Sequence, residues 1–432
     1  PPRAAAGPPG DGHCGGVQHD PDLERPVVPA DPCPGRGSQN PNVGLAGFHR
    51  AVRHRLERGA FSPFARNPAG FGALCHLLAP AHPRHHVRSG EMRVLVAGLG
   101  NMGRSHALAY HAHAGAEIVG LVNRTDVDLP DALKGYPVLT SFKDGLALKP
   151  DLVCIATYSD SHADYALAAM EAGADVFIEK PLATTVEDAE RVVATAKQYG
   201  RKLVVGYILR HHPSWQRLIK EARGLGGPYV FRMNLNQQSD GPTWETHKAL
   251  MQTTSPIVDC GVHYVDVMCQ ITDAKPVRVS GMGLRLSDEI APDMYNYGQL
   301  QVWFADGSVG WYEAGWGPMM SETAFFVKDV ISPNGAVSIT DGNKGLSDDV
   351  DGHTKVGGLL VHRLTGDRLI ELSDEPGHQQ LCDAEQAFVL DAISNDIDLT
   401  RHMNDAVQSL AICLAADESI RTGHPIELGD AS

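Results

Sequence analysis

The six residues Gly98-Leu99-Gly100-Asn101-Met102-Gly103 have the types and spacing of a turn that admits phosphate. They follow the apolar run Met92–Ala97, MRVLVA, which suits a strand buried on both faces, and precede a helix-compatible stretch over 104–114. In that context Gly98 permits the tight turn. Gly100 lets a pyrophosphate approach the backbone, and Gly103 lets helix and strand pack closely. The N–H groups at the helix start, Asn101 and Met102 among them, would bind the phosphates. The next strand, Ala116–Val122, runs into Asn123-Arg124-Thr125. A site for NAD usually places Asp or Glu here to hold the ribose 2′-hydroxyl. Here an amide is followed by a cation, and Arg124 can bind a 2′-phosphate that a carboxylate would repel. The expectation is NADP in preference to NAD, with Asn123 and Arg124 at the ribose.

A second constellation lies further on. Ser255-Pro256 supplies an N-cap and a Pro at the first helical position. The helix that follows, IVDCGVHYVDVMCQ, carries Asp259, His263, Asp266 and Gln270 at i, i+4, i+7 and i+11, one polar stripe on an apolar helix. Pattern alone leaves three readings open. The stripe faces solvent, or it forms a reactive wall, or Asp259 and His263 begin a metal site. No third ligand is evident for the last, so no metal is expected.

The elements that must hold these groups alternate. After the first two strands come a short strand at 137–139, an apolar strand at 152–156 ending in Thr157-Tyr158-Ser159-Asp160-Ser161-His162, and a helix at 163–172. A strand at 175–178 is closed by Glu179-Lys180-Pro181, and a helix over Val186–Tyr199 leads to a strand at 202–206. Such alternation predicts a doubly wound parallel sheet, with ligands beyond the carboxyl ends of its strands. Gly98, Asn123, Thr157 and Lys180 would share that edge. From Pro228 the pattern changes to strands at 229–235, 277–286, 299–304, 309–314, 323–330, 336–339, 359–364 and 369–372, with turn signals at Asp306-Gly307, Pro333-Asn334-Gly335 and Gly366-Asp367. This reads as an open, largely antiparallel sheet with few helices, one face free to bind or to pair two copies. Helices at His378–Ser394 and 401–421 close the chain.

The chain has 432 residues and a formal charge of −15, which repels nucleic acid phosphates and acidic membranes. No apolar run approaches the ~18 residues that cross a bilayer. Residues 1–91 differ from the rest. They hold 14 of the 28 Pro and 13 of the 45 Gly, ten Arg and no Lys, and they lack Ile, Thr, Tyr, Trp and Met. A segment of this composition builds a core poorly. It is expected to be a mostly disordered extension, with a short Arg-rich helix over 49–66 and an apolar patch at 71–78, upstream of a functional start at Met92. Eight scattered Cys without a CxxC pair fit reduced thiols and a cytoplasmic location.

With these residues in hand, the chain resembles the glucose–fructose oxidoreductase / inositol dehydrogenase / rhizopine catabolism (Gfo/Idh/MocA) family over about residues 92–425. The marks are GLGNMG, Thr157…His162, Glu179-Lys180-Pro181 some 77 residues after the turn, and Asp259-x-Gly261-x-His263-x-x-Asp266 about 80 further on. The resemblance implies a dinucleotide-binding Rossmann domain at 92–210 and a substrate-binding α/β domain at 211–432. It implies an NAD(P)-dependent dehydrogenase/reductase acting on a sugar, cyclitol or related polyol. An NAD-dependent glycoside hydrolase and a silent nucleotide-binding regulator are the alternatives. By resemblance Lys180, Asp259 and His263 form the catalytic group, with Asp259 orienting His263 or tuning its charge. Thr157 and Glu179 line the cofactor path, and the Lys180–Pro181 bond is often cis. Arg210, His211, Trp244, His247 and Lys248 are the candidates for substrate contact. The chain departs from the family at Tyr158, where Pro is common, and at Thr254-Ser255-Pro256, where many members have consecutive Gly.

Overall fold

The structure is a computed structural model that describes residues 90–429, except 323–325, 341–346, 348, 350, 351 and 353. The expectations for residues 1–89, with their helix at 49–66 and patch at 71–78, lie outside the described residues.

Met92–Ala97 forms β1, and Asn101–Ala112 forms α1. Then come β2 (Ala116–Val122), β3 (Val138–Leu139), α2 (Phe142–Ala147), β4 (Leu152–Ile155), α3 (His162–Glu171), β5 (Asp175–Glu179), α4 (Val186–Tyr199) and β6 (Leu203–Gly206). The six strands pair in parallel in the order β3-β2-β1-β4-β5-β6. Every residue of β4 and β6 is buried, as apolar runs covered by helices on both faces require. Local signals delimit the helices. The hydroxyl of Thr185 accepts from Asp188 N (3.1 Å) to start α4, and Gly200 ends it at φ +61°. The sheet order sets the carboxyl ends of β2, β1, β4 and β5 side by side, so the loops carrying Asn123, Gly98, Thr157 and Lys180 follow neighbouring strands.

The second half begins with α5 (Pro213–Leu225) and β7 (Val230–Gln238). It continues with α6 (Gly241–Leu250), α7 (Pro256–Asp259), α8 (Gly261–Ile271), β8 (Pro276–Leu284), β9 (Tyr297–Phe304), β10 (Val309–Gly317), β11 (Lys328–Ser332), β12 (Gly335–Ile339), β13 (Gly358–Arg363) and β14 (Gly366–Glu371). Last come α9 (His378–Ser394), α10 (Thr400–Thr422) and β15 (Ile426–Glu427). Nine strands form one open mixed sheet in the order β14-β13-β12-β11-β7-β10-β9-β8-β15. Only β7 and β10 pair in parallel.

Three details differ from the sequence expectation. Four helices, α5 to α8, precede most of this sheet, where few were expected. The single helix expected from Pro256 is broken at Cys260. Gly261, which opens α8, lies so close to Tyr312 that a Cβ there would meet its ring at 3.0 Å. Finally, α9, grouped by sequence with the second half, buries Val389, Leu390 and Ala392 in the apolar cluster of β1 and β4, with Val94, Val96 and Leu152. An apolar sheet face recruits whatever apolar helix reaches it, and order along the chain does not decide which.

Candidate active site

The glycine turn is a cradle whose dimensions the backbone sets. Gly98 sits at φ +88°, and a Cβ there would lie 2.3 Å from the Ala156 carbonyl oxygen. A Cβ on Gly103 would lie 1.8 Å from the Gly98 oxygen. Gly100 is the opposite case, because a Cβ there meets nothing within 4 Å. Two of the three glycines are therefore needed for packing, and the third borders open space. No side chain caps α1, which leaves its first N–H groups for an anion. The side chain of Asn123 accepts from Leu99 N (3.0 Å) and donates to the Thr125 carbonyl (2.8 Å). It thus ties the glycine turn to the loop after β2. These features fit a bound dinucleotide pyrophosphate.

Lys180 follows β5 through a cis bond to Pro181. Its ammonium donates to Asp259 Oδ2 at 2.9 Å and to the Asp259 backbone carbonyl at 3.0 Å. Burial works against the charge on Lys180, but the carboxylates of Asp259 and Glu179 oppose it and hold the pKa above the usual value. Asp259 is positioned by the short helix α7, whose N-cap Ser255 accepts from Val258 N (3.1 Å) and donates to Asp417 Oδ1 on α10 (2.8 Å). His263 lies one turn on, in α8, with its ring edge-on to Tyr207 at 5.9 Å between centroids. Lys180, Asp259 and His263 line one cavity of about 190 Å³, which also reaches Met102 of the glycine turn. The first two members of the polar stripe, Asp259 and His263, are therefore an inner wall, whereas Asp266 is buried against Arg210 and Gln270 is half-buried. Asp259 is 7% exposed and Asp266 is 1% exposed.

Behind Lys180 lies a buried polar chain. Tyr110 O–H donates to Gln386 Oε1 (2.5 Å), and the Gln386 amide nitrogen lies 2.9 Å from His106 Nδ1. His106 Nε2 lies 2.6 Å from Glu179 Oε1, and Glu179 Oε2 accepts from the Lys180 backbone N–H (3.1 Å). Burial pushes the Glu179 carboxyl up, but the His106 hydrogen bond and the nearby Lys180 outweigh it, so Glu179 stays below its ordinary value. Glu385 lies beside it, and neither of its oxygens has a hydrogen-bond partner among the described residues. Burial first, and then the Glu179 charge, push the Glu385 carboxyl well up, which favours its protonated form. His106, Glu179 and Glu385 offer three donor atoms within 4.8 Å of one another. However, the 2.6 Å between His106 and Glu179 is a hydrogen-bond separation, shorter than two ligands on one ion would allow.

The remaining candidates separate. Thr157 accepts from Ser161 Oγ (2.8 Å) beside the glycine turn. The buried ring of His162 lies between the carbonyls of Pro181 (2.8 Å) and Thr157 (3.0 Å), so it links the loops after β4 and β5. Of the five substrate candidates, only His247 lines the cavity. It stacks on Trp316 at 4.3 Å, and burial lowers its pKa to about 4, so the ring is neutral near pH 7. Arg210 instead donates through Nε to Asp266 (2.8 Å) and through Nη2 to Asp266 (2.5 Å) and Asp405 (2.9 Å). Two carboxylates hold it away from the cavity. His211 packs against Phe388 and comes within 3.9 Å of Glu385. Trp244 and Lys248 both donate to Glu289, at 3.3 and 2.7 Å. Sequence reasoning missed Gln237, Leu250, Tyr264, Trp316 and His378, which are among the further residues of the cavity wall. They come from β7, α6, α8, β10 and α9, and no local spacing announces such a set.

Residues 92–207 match the model of an oxidoreductase family with an NAD-binding Rossmann fold, and residues 216–327 match the GFO/IDH/MocA C-terminal domain. Together the two matches span more than half of the chain. Inositol 2-dehydrogenase 3 of Saccharopolyspora erythraea is 32% identical over 192 residues, which is 42% of this chain and 54% of that protein. D-glucoside 3-dehydrogenase of Escherichia coli is 29% identical over 187 residues, 41% of this chain and 53% of that protein. The chain thus spans about half the length of the curated relatives it matches. The solved structure of scyllo-inositol dehydrogenase from Lactobacillus casei, with bound NAD(H) and scyllo-inositol, superposes with a TM-score of 0.62 at 20% identity. It covers 78% of this chain and 99% of that one. This likeness is one of fold. Among the described residues no helix is long and apolar enough to cross a membrane.

Proposed function

The chain belongs to the GFO/IDH/MocA oxidoreductase family, with an NAD-binding Rossmann fold at residues 92–207, and from that premise we propose an NAD(P)-dependent dehydrogenase/reductase acting on a CH–OH carbon of a sugar, cyclitol or related polyol. One observation carries this reading. A single cavity joins Met102 of the glycine turn to Lys180, Asp259 and His263.

Gly98, Gly100, Asn101, Met102 and Gly103 would hold the pyrophosphate, and Thr157 and Glu179 would border the nicotinamide end. When bound, the nicotinamide supplies or accepts the hydride. An ammonium has three N–H donors. Two of those on Lys180 are engaged by Asp259, so the third is available to the substrate oxygen, where it stabilises developing negative charge. Asp259 thus orients Lys180, a role beside the orientation or charge tuning of His263 expected from the resemblance. The His263 imidazole would take the hydroxyl proton in oxidation and return it in reduction. Neutral His247 would hydrogen-bond a second substrate hydroxyl.

We read the cofactor as NADP in preference to NAD. Asn123 occupies the place of the ribose-binding acid, and exposed Arg124 makes no ion pair among the described residues. The exposed Met282 and Leu284 on β8 and Leu286 just beyond its end support pairing of two copies. The five described cysteines are buried free thiols, in keeping with a reducing cytoplasm.

The deciding experiment follows absorbance at 340 nm with a panel of sugars and cyclitols and both cofactors. Stoichiometric NADPH formation or consumption is expected. Cleavage of glycosides without net absorbance change would replace this reading with the hydrolase.

A further inference from the structure

Arg104 lies in the first turn of α1, one residue after the glycine turn. Its Nη2 donates to Asn101 Oδ1 at 2.9 Å, and its Nη1 reaches the Asp128 backbone carbonyl at 3.4 Å. Asn101 belongs to the turn, and Asp128 to the loop that begins Asn123-Arg124. The Arg104 side chain therefore spans the two backbone segments that border an adenosine ribose in a Rossmann site.

Both contacts are to neutral oxygens. Neither Arg104 nor Arg124 forms an ion pair among the described residues, although Asp126 and Asp128 are close in sequence. Asp126 Oδ1 accepts from Val127 N (3.1 Å), and Asp128 meets Arg104 through its carbonyl. A guanidinium carries five N–H donors. Two of those on Arg104 are engaged, which leaves three and an uncompensated charge at this edge. Asn123 is committed as a strut between the turn and the loop, so the position after β2 that usually carries the ribose-binding carboxylate holds a neutral amide. A ribose diol gains little from a second guanidinium, whereas a phosphate dianion gains two charge-assisted, fork-shaped contacts.

We propose that Arg104 and Arg124 form a two-guanidinium clamp for the 2′-phosphate of NADP, and that Arg104 is the specificity residue held in place by Asn101 and Asp128. The proposal rests on the reading of this edge as a cofactor site that prefers NADP.

The test is calorimetric titration of the full chain with 2′,5′-ADP and with 5′-AMP, two probes that differ only in the 2′-phosphate. Arg104→Gln is expected to weaken 2′,5′-ADP on the order of tenfold, as loss of a charge-assisted contact should. It should leave 5′-AMP within about twofold. Arg104→Lys, which keeps the charge and loses the fork, should fall between. Arg104→Gln should also flatten the dependence of 2′,5′-ADP affinity on salt, whereas Arg104→Lys should keep it. Equal weakening of both probes would make Arg104 a support for the loop and overturn the clamp. If Arg124→Ala removes the preference for 2′,5′-ADP and Arg104→Gln does not, the clamp fails while the NADP reading stands. If the unaltered chain binds both probes equally, the NADP reading itself fails.

Discussion

Lys180 Nζ donates to two oxygens of one residue, the carboxylate and the backbone carbonyl of Asp259, at 2.9 and 3.0 Å. One partner directly follows β5 of the parallel sheet, and the other ends α7. The contact therefore fixes the ammonium at the junction of the two halves with a single N–H to spare. Lys180→Met and His263→Ala are each expected to lower turnover by at least ~10²-fold, the scale of acid–base and oxyanion groups. Titration with NADP should give affinities close to the unaltered chain. Near-normal turnover in both variants would remove the assigned roles.

Asp259 also controls the charge of Lys180. Burial alone would lower the Lys180 pKa, and Asp259 is the largest opposing influence. In Asp259→Asn that opposition disappears and the pKa falls. The alkaline limb of kcat against pH should then move to lower pH, because the ammonium is lost earlier. A limb that stays in place would detach it from Lys180.

The three glycines of the turn should respond differently. At Gly98, φ +88° costs a side chain about 1–3 kcal/mol before any clash. At Gly103 a Cβ would overlap the Gly98 oxygen. Alanine at either position should lower the melting temperature. Gly100→Ala should leave stability within ~0.5 kcal/mol and weaken dinucleotide binding, since its Cβ enters only the open space. Equal loss of stability at all three would refute the cradle.

Glu385 gives the protein a specific dependence on pH. The unfolded chain releases this proton near the ordinary value of ~4.3, and the folded protein holds it to higher pH. Across that interval the folded state binds more protons, so Glu385 makes stability fall as pH rises. Glu385→Gln is neutral throughout and should remove this part of the fall. Urea midpoints at pH 5 and pH 8 measure it, and parallel losses in the two proteins would contradict a protonated Glu385.

Arg210 separates a structural from a substrate-binding role. Removing it leaves Asp266, 1% exposed, without its cation. Arg210→Met should cost ~3–5 kcal/mol of stability in urea, as breaking a buried pair does. A stability change below ~1 kcal/mol with a tenfold rise in KM would return Arg210 to the substrate.

The first half was readable because its signals are local. MRVLVA, LVCI and LVVG are apolar runs that only a doubly covered sheet can bury, and the glycine pattern sits directly between a strand and a helix, with Gly103 held by a contact to Gly98 five residues before it. The grouping of Lys180 with Asp259 was legible only through motif spacing. What could not be read was partnership across the fold. His106 meets Glu179 across 73 residues, and Arg210 meets Asp405 across 195. Arg210 beside an expected cleft has the same residue type whether it grips a substrate or two buried carboxylates. The polar stripe likewise has one pattern for a wet face and for a dry wall.

The return of α9 onto β1 and β4 bears on how the protein is made. While it emerges from a ribosome, the dinucleotide-binding sheet has only part of one greasy face covered, by α1, until residues near Leu390 arrive, some two hundred positions after β5. A chaperone that shields apolar surface would have that interval in which to act.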